Sequence, residues 1–188
     1  MLNAKPSLMK IHKDFLYLGS IIILLGLCGQ FYYDFHYHPR NDISVYYNKD
    51  IEANEKINAV IRDADEFIYF AIYTFTKPDI KDALLGAKHR GVDVRGVVDG
   101  EQSERIEEQK KIIDELKAAG IPIAFDDHSA IMHLKTIVTE KEYVSGSYNW
   151  TKSATDSNDE VIEIGSDDNV RRDYQRVLEK LFDLYFKE

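Results

Sequence analysis

M-H-L-K-T-I-V-T-E-K-E-Y-V-S-G-S-Y-N-W-T, residues 132 to 151, is the stretch on which the reading of this chain turns. Its first half alternates, so a strand here puts His133, Lys135 and Ile137 on one face and Met132, Leu134 and Thr136 on the other. An imidazole and an ammonium then point the same way. The turn-like run Thr139-Glu140-Lys141-Glu142 follows, then a second short strand through Tyr143 and Val144. After it, Gly146, Ser147, Tyr148 and Asn149 bring small hydrogen-bonding groups back towards the first strand. A base, a cation and polar donors converging in this way suit attack on a phosphodiester. A neutral imidazole can serve as nucleophile, while ammonium, hydroxyl and amide groups stabilise charge on the non-bridging oxygens as phosphorus becomes five-coordinate. Such a set demands no metal and no cofactor.

The same residues resemble the phospholipase D superfamily, whose mark is H-x-K-x4-D followed by G-S-x-N. His133, Lys135, Gly146, Ser147 and Asn149 stand in the matching positions, and Glu140 fills the acidic place instead of Asp. Asn158-Asp159-Glu160, ahead of the apolar run Val161 to Ile164, is similar to the N-x-E block of the small single-motif members. That subgroup takes in Nuc-type bacterial endonucleases and Zucchini-like mitochondrial cardiolipin hydrolases. Tyr69 to Thr76 and Arg90-Gly91-Val92-Asp93-Val94 resemble its upstream blocks, so the likeness spans roughly residues 44 to 187. Several separated blocks agreeing in order are specific, whereas H-x-K alone, common on a solvated strand edge, is not.

The resemblance implies an α/β fold, a single layered α-β-α domain with a mixed sheet. It implies that His133 attacks phosphorus to give a phosphohistidine, that Lys135 and Asn149 bind phosphate oxygens with Ser147 in support, and that Glu160 orients a histidine. Glu140 and Gly146 take supporting places. One motif supplies one histidine, yet the family chemistry uses a second as general acid on the leaving oxygen. The implied partner is therefore a second copy of the chain, in a homodimer with a shared site. The single cysteine, Cys28, leaves residues 43 to 188 without a thiolate zinc site or disulfide, and without the cysteine-rich insert of the Zucchini-type proteins.

Length and composition bound the rest. At 188 residues with 44% hydrophobic and 12% aromatic content, the chain holds one well-sized globular domain. Of its 24 Lys and Arg, four fall in the first 40 residues, against two of its 33 Asp and Glu, so residues 41 to 188 carry 20 basic and 31 acidic side chains. A domain with that excess of carboxylates lacks the general attraction on which non-specific nucleic-acid binding rests.

Residues 1 to 14 are basic, with Lys5, Lys10 and Lys13, and residues 15 to 33 carry no charge. As a helix rising about 1.5 Å per residue, that uncharged segment spans roughly 28 Å, the thickness of a hydrocarbon core. It is expected to be one transmembrane anchor, with a cleaved signal peptide as the rival. The lysines ahead of it favour a cytoplasmic N-terminus and a catalytic domain on the far side, or a secreted or periplasmic domain if the segment is cleaved. Residues 34 to 42 read as an interfacial linker, in which His36 and His38 lack an evident third metal ligand.

From residue 43 to 188 strand and helix patterns alternate. Strands are expected over Ile43 to Tyr47, Phe67 to Phe75, Val92 to Val98, Ile121 to Phe125 and Glu160 to Ile164, besides the motif hairpin. Helical spacing marks Ala53 to Ala64, a helix from Pro78 stopped by Gly91, and a continuous charged helix from Glu101 to Ala119 with Ile106, Ile112, Ile113 and Leu116 inward. A last helix turns Val170, Tyr174, Val177, Leu178, Leu181, Phe182 and Tyr185 inward. Asp99, before Gly100, reads as a helix-capping carboxylate, and Asp126, Asp127 and His128 have no recognised metal spacing. The whole points to a membrane-tethered phosphodiesterase acting on phospholipid head groups. The other readings are a metal-independent endonuclease and a non-catalytic membrane-binding module.

Overall fold

The computed structural model describes residue 17, residues 19–30, residue 32 and residues 42–186. It divides into two units, residues 1–39 and 40–188. In the first, residues 19–30 form helix α1, with Ile21, Leu24 and Leu27 exposed. No helix of the described residues is long and apolar enough to cross a membrane. The expected span over residues 15 to 33 falls partly outside the described residues, as does the linker almost to its end and the basic segment entirely.

The second unit is organised by β2 (Phe67–Ile72). Its apolar run has no polar face because both faces are covered. Ile68, Phe70 and Ile72 enter one buried cluster, while Ala71 enters a second, with Phe67 and Tyr69 packed against it. The period of two thus splits one apolar word between two cores. On one flank β2 pairs in parallel with β3 (Asp93–Asp99), and β3 likewise with β4 (Ile123–Asp126). On the other flank β2 pairs antiparallel with β5 (Lys135–Thr139), followed by β6 (Tyr143–Gly146), β7 (Val161–Gly165) and β1 (Ile43–Tyr47). The result is one seven-stranded mixed sheet in the order β1-β7-β6-β5-β2-β3-β4.

Three helices, α2 (Ala53–Asp63), α3 (Pro78–His89) and α5 (Glu107–Ala118), bury Ile57, Leu84 and Leu116 in the first cluster. The other face carries α7 (Asp168–Tyr185), the helix after the short α6 (Lys152–Asp156), and it contributes Leu178 and Phe182 to the second. Each such side chain adds about 1.5–3 kcal/mol for its removal from water. Asp167 caps α7 by accepting from the Asn169 and Val170 amides, each at 2.9 Å. Gly96 is required where it stands: a Cβ there would lie 2.2 Å from the Phe70 ring. Gly91 and Gly120 end their helices at φ of 91° and 78°, a conformation that glycine adopts without penalty.

Two expectations about the helices need correction. The charged helix is not continuous: α4 (Gly100–Arg105) and α5 are separated at Ile106, whose φ of −111° and ψ of 105° are extended. The break turns Gln109, not Ile106, fully inward. Its side-chain oxygen accepts from Phe75 N at 2.8 Å, and its amide nitrogen donates to Ser103 Oγ at 2.9 Å. Satisfying that buried backbone amide outweighs keeping an isoleucine in register. Val177 was expected inward but is exposed, because α7 meets β2 to β5 with a stripe narrower than its apolar pattern. The central strand also stops at Ile72, three residues short of Phe75, which instead forms an isolated bridge with Trp150.

Candidate active site

The ends of β2 and β6 and the starts of β5 and β7 meet at one edge of the sheet. Ile72 pairs with Lys135 and Gly146 with Ile162. Lys135 opens β5, whereas His133 and Leu134 precede it, so the strand is shorter at this end than its alternation suggests. The phase nevertheless holds: Ile137 lies in one cluster while Met132 and Leu134 pack into the other. A bond from Tyr73 N to Leu134 O, at 2.9 Å, carries the pairing one step past the strand end.

Lys135 is only 6% exposed. Its ammonium donates to His133 O at 2.8 Å and lies 5.1 Å from the centre of the Tyr73 ring. Burial pushes its pKa down to about 8, against the opposing pull of the Glu160 carboxylate. A half-desolvated cation with donors to spare is a ready site for an anionic oxygen. His133 is exposed, and its ring meets that of Tyr73 edge-on with centroids 4.8 Å apart.

Glu160, 8% exposed, faces the same edge. Its carboxylate accepts a short bond from Ser147 Oγ and one of 3.0 Å from Asn158 Nδ2. Ser147 Oγ also accepts from Val161 N at 3.1 Å, tying the small-residue turn to β7. Asn149 presents its carbonyl oxygen to Thr74 N at 3.3 Å, which leaves its amide nitrogen as the donor end. Gly146 fits because a Cβ there would lie 2.1 Å from Val161 O. The structure thus puts Lys135, Ser147, Asn149 and Glu160 at the same end of the sheet, with the Lys135 ammonium on the His133 carbonyl. The orienting contact expected of Glu160 falls, within one chain, on Ser147 and Asn158.

Glu140 stands apart. It follows the far end of β5, about 17 Å along the strand from Lys135 at ~3.3 Å per residue. Its oxygens accept from Asp65 N at 2.7 Å and Phe67 N at 3.4 Å, pinning the β5–β6 turn to the start of β2. Burial would raise its pKa, but the backbone donors of Asp65, Glu66 and Phe67 outweigh it and hold the carboxyl below its usual range. This carboxylate therefore stabilises the fold above its unfolded-state pKa, and that contribution is lost as pH falls through the lower folded value. Glu140→Ala is expected to cost about 1–3 kcal/mol in a denaturant titration at pH 7, by stranding two amides, while leaving turnover within about twofold.

The sequence did not single out two residues at the site. Asn48, 5% exposed, donates to Ala154 O at 2.8 Å and Asn158 O at 3.0 Å, and accepts from Glu160 N at 2.9 Å. It clamps the Asn158-Asp159-Glu160 turn from more than a hundred residues away. Tyr73, expected only as part of the strand from Phe67 to Phe75, is the ring that touches both His133 and Lys135. Asp99 caps α4 as expected, accepting from Gln102 N at 2.8 Å, and its second oxygen takes Met132 N at 3.0 Å.

A separate cleft of about 720 Å³ opens beyond the ends of β3 and β4, lined by Glu101, Glu104, Phe125, Asp126, Asp127 and His128 among others. His128 Nδ1 lies 2.7 Å from Asp126 Oδ1. Among the described residues, no group of three His, Cys, Asp or Glu side chains is placed to hold a metal. His36 and His38 lie outside them.

The profile described as "Cardiolipin synthase, PLD-like domain" matches residues 57–182. The mitochondrial cardiolipin hydrolase of Xenopus tropicalis is 33% identical over 134 residues, 71% of this chain and 62% of that protein. The corresponding Chlamydomonas reinhardtii protein is 33% identical over 61% of this chain and 50% of its own length. The chain thus spans about half to two thirds of these relatives. A phospholipase D of Rickettsia prowazekii is 29% identical over 76% of this chain and 69% of its own. Among solved structures, the phospholipase D family member Nuc from Salmonella typhimurium superposes with a TM-score of 0.72 at 27% identity, covering 77% of this chain and 95% of that one.

Proposed function

The chain belongs to the phospholipase D-like family, and on that footing we propose that it is a phosphodiesterase whose nucleophile is His133. The observation that carries this reading is the convergence, at one sheet edge, of a desolvated ammonium, a serine bound to a buried carboxylate, an amide donor and an exposed imidazole. An imidazole nitrogen attacks phosphorus, and the bond to the leaving oxygen breaks. Lys135 and Asn149 neutralise the non-bridging oxygens, with Ser147 in support. The leaving oxygen takes its proton from a second histidine, and that histidine then deprotonates the water that cleaves the phosphohistidine. The second histidine is His133 of another copy, so the working unit is a homodimer with a shared site. Glu160 faces the paired site and orients the histidine across it.

The substrate class we favour is phospholipid. Cardiolipin hydrolases and phospholipases D are among the relatives, and the acidic balance of residues 41 to 188 opposes the phosphate backbone of nucleic acids. Residues 15 to 33 act as a membrane anchor for the domain over residues 43 to 188, placed on the extracytoplasmic side. Tethering raises the local concentration of head groups.

The test is one assay of the full chain in detergent or vesicles against phosphatidylcholine, cardiolipin, single-stranded and duplex DNA, each with and without EDTA. Lipid hydrolysis undiminished by the chelator is expected. Cleavage confined to DNA would replace the lipid reading with a nuclease one. Activity lost to chelator and restored by zinc or magnesium would overturn the histidine mechanism.

A further inference from the structure

Tyr73 closes a ring of contacts that nothing in the phosphate chemistry requires. The Lys135 ammonium lies over its ring, 5.1 Å from the centre, and the His133 ring meets it at 60° with centroids 4.8 Å apart. Its hydroxyl accepts from Gln102 Nε2 at 2.9 Å, and Gln102 sits in the first turn of α4. That turn is capped by Asp99, whose other oxygen holds the amide of Met132, the residue before His133. Gln109, fully buried in α5, ties Ser103 of α4 to the backbone of Phe75 at the other end of the Tyr73 segment. The tyrosine is thus held from its hydroxyl and from its backbone side, and its ring touches both groups proposed to meet phosphate.

We propose that Tyr73, locked by Gln102, is a positioning residue that sets the His133 imidazole and the Lys135 ammonium at a fixed separation around one phosphate group. The physical case rests on two requirements. The lysine stem is flexible and its ammonium is largely stripped of water, so an aromatic face on one side stabilises the cation and removes directions in which it could swing. The exposed histidine has the reverse problem, too much freedom, and the neighbouring ring limits its rotation. A single planar group serves both because it stands at the strand end between them. The proposal rests on the phosphodiesterase reading of the site.

The experiment uses the full chain and a chromogenic diester, bis(p-nitrophenyl) phosphate, with kcat, KM and the pH profile of kcat/KM measured for five variants. Tyr73→Ala is expected to lower kcat about 10²-fold with little change in KM. Losing the ring removes its hold on the cation, but desolvation is the main cause of the low value, so water entering beside Lys135 should move the alkaline limb of the profile upward from about 8, towards an ordinary lysine value. Tyr73→Phe keeps the ring and its limb, losing about fivefold through the missing hydroxyl bond, and Gln102→Leu should lose the same. The double variant should be no worse than either, since both remove one contact. Multiplied losses in the double variant, or an unmoved limb in Tyr73→Ala, would show ordinary packing and overturn the proposal. If Tyr73→Ala fails to fold, the Phe and Leu pair still decides through its coupling. His133→Asn is the fifth variant and the control: activity there would sink the site reading itself, whereas an inert control with silent Tyr73 variants would sink only the positioning role.

Discussion

Replacing His133 by asparagine is expected to lower phosphodiester turnover by at least about 10³-fold while leaving the melting curve in place. The loss combines the covalent step with proton transfer, each worth orders of magnitude. The fold survives because the side chain is exposed, with the Tyr73 ring against it. Turnover within about tenfold of wild type would remove the nucleophile from the mechanism. The same variant tests assembly. In an equal mixture of wild-type and His133→Asn chains, exchanged to equilibrium, roughly a quarter of twofold dimers carry two histidines. Specific activity should therefore fall to about a quarter of the wild-type value, not to half. A strictly monomeric, fully active species in light scattering would mean that the proton donor comes from elsewhere in the same chain.

Lys135→Met should move activity and stability in opposite directions. Without the ammonium, the phosphate oxygens lose their main counter-charge and turnover falls about 10²–10³-fold. Yet the protein should gain stability, because the lysine is buried at a cost that its low pKa reports. The sign follows from linkage. The folded-state pKa lies near 8, below the 10.5 of an unperturbed lysine, so the cost is present in full at pH 7 and fades as pH rises between those two values. Methionine fills the stem's space without a charge, and a gain of about 1–3 kcal/mol at pH 7, much reduced at pH 10, is expected in paired denaturant titrations. In the wild type, kcat/KM should decline as pH rises through about 8, as the ammonium of the free enzyme is lost. A Lys135→Met variant less stable than wild type at pH 7 would mean that the ion is net favourable where it sits.

The elements carrying simple periodicity were legible in the chain itself. The unbroken apolar run of β2, the alternation through Lys135 and Ile137, the amphipathic α7 and the glycine stops at Gly91 and Gly120 all express local rules that neighbouring residues cannot hide. So did the pairing of His133 with Lys135 and the glycine-serine turn after it, because a strand's period of two and a tight turn are short-range geometry. The opposite roles of two carboxylates came from the family resemblance and not from their spacing. Glu140 and Glu160 each lie close in sequence to the motif, but only the register of β5 against β2 and β6 against β7 sends one to the far end of the strand and the other to the site. Asn48 and Tyr73 were missed for the same reason, since each acts on residues brought near by pairing across the sheet. The break at Ile106 was hidden in a helical pattern because its cause is a backbone amide on Phe75, which Gln109 satisfies from another element. Sequence by itself determined which chemically suitable side chains stand together in the motif, since that is a property of side chains at fixed spacing. Tertiary structure decided which of them share one desolvated edge, because burial and hydrogen-bond partners exist only once distant strands have met.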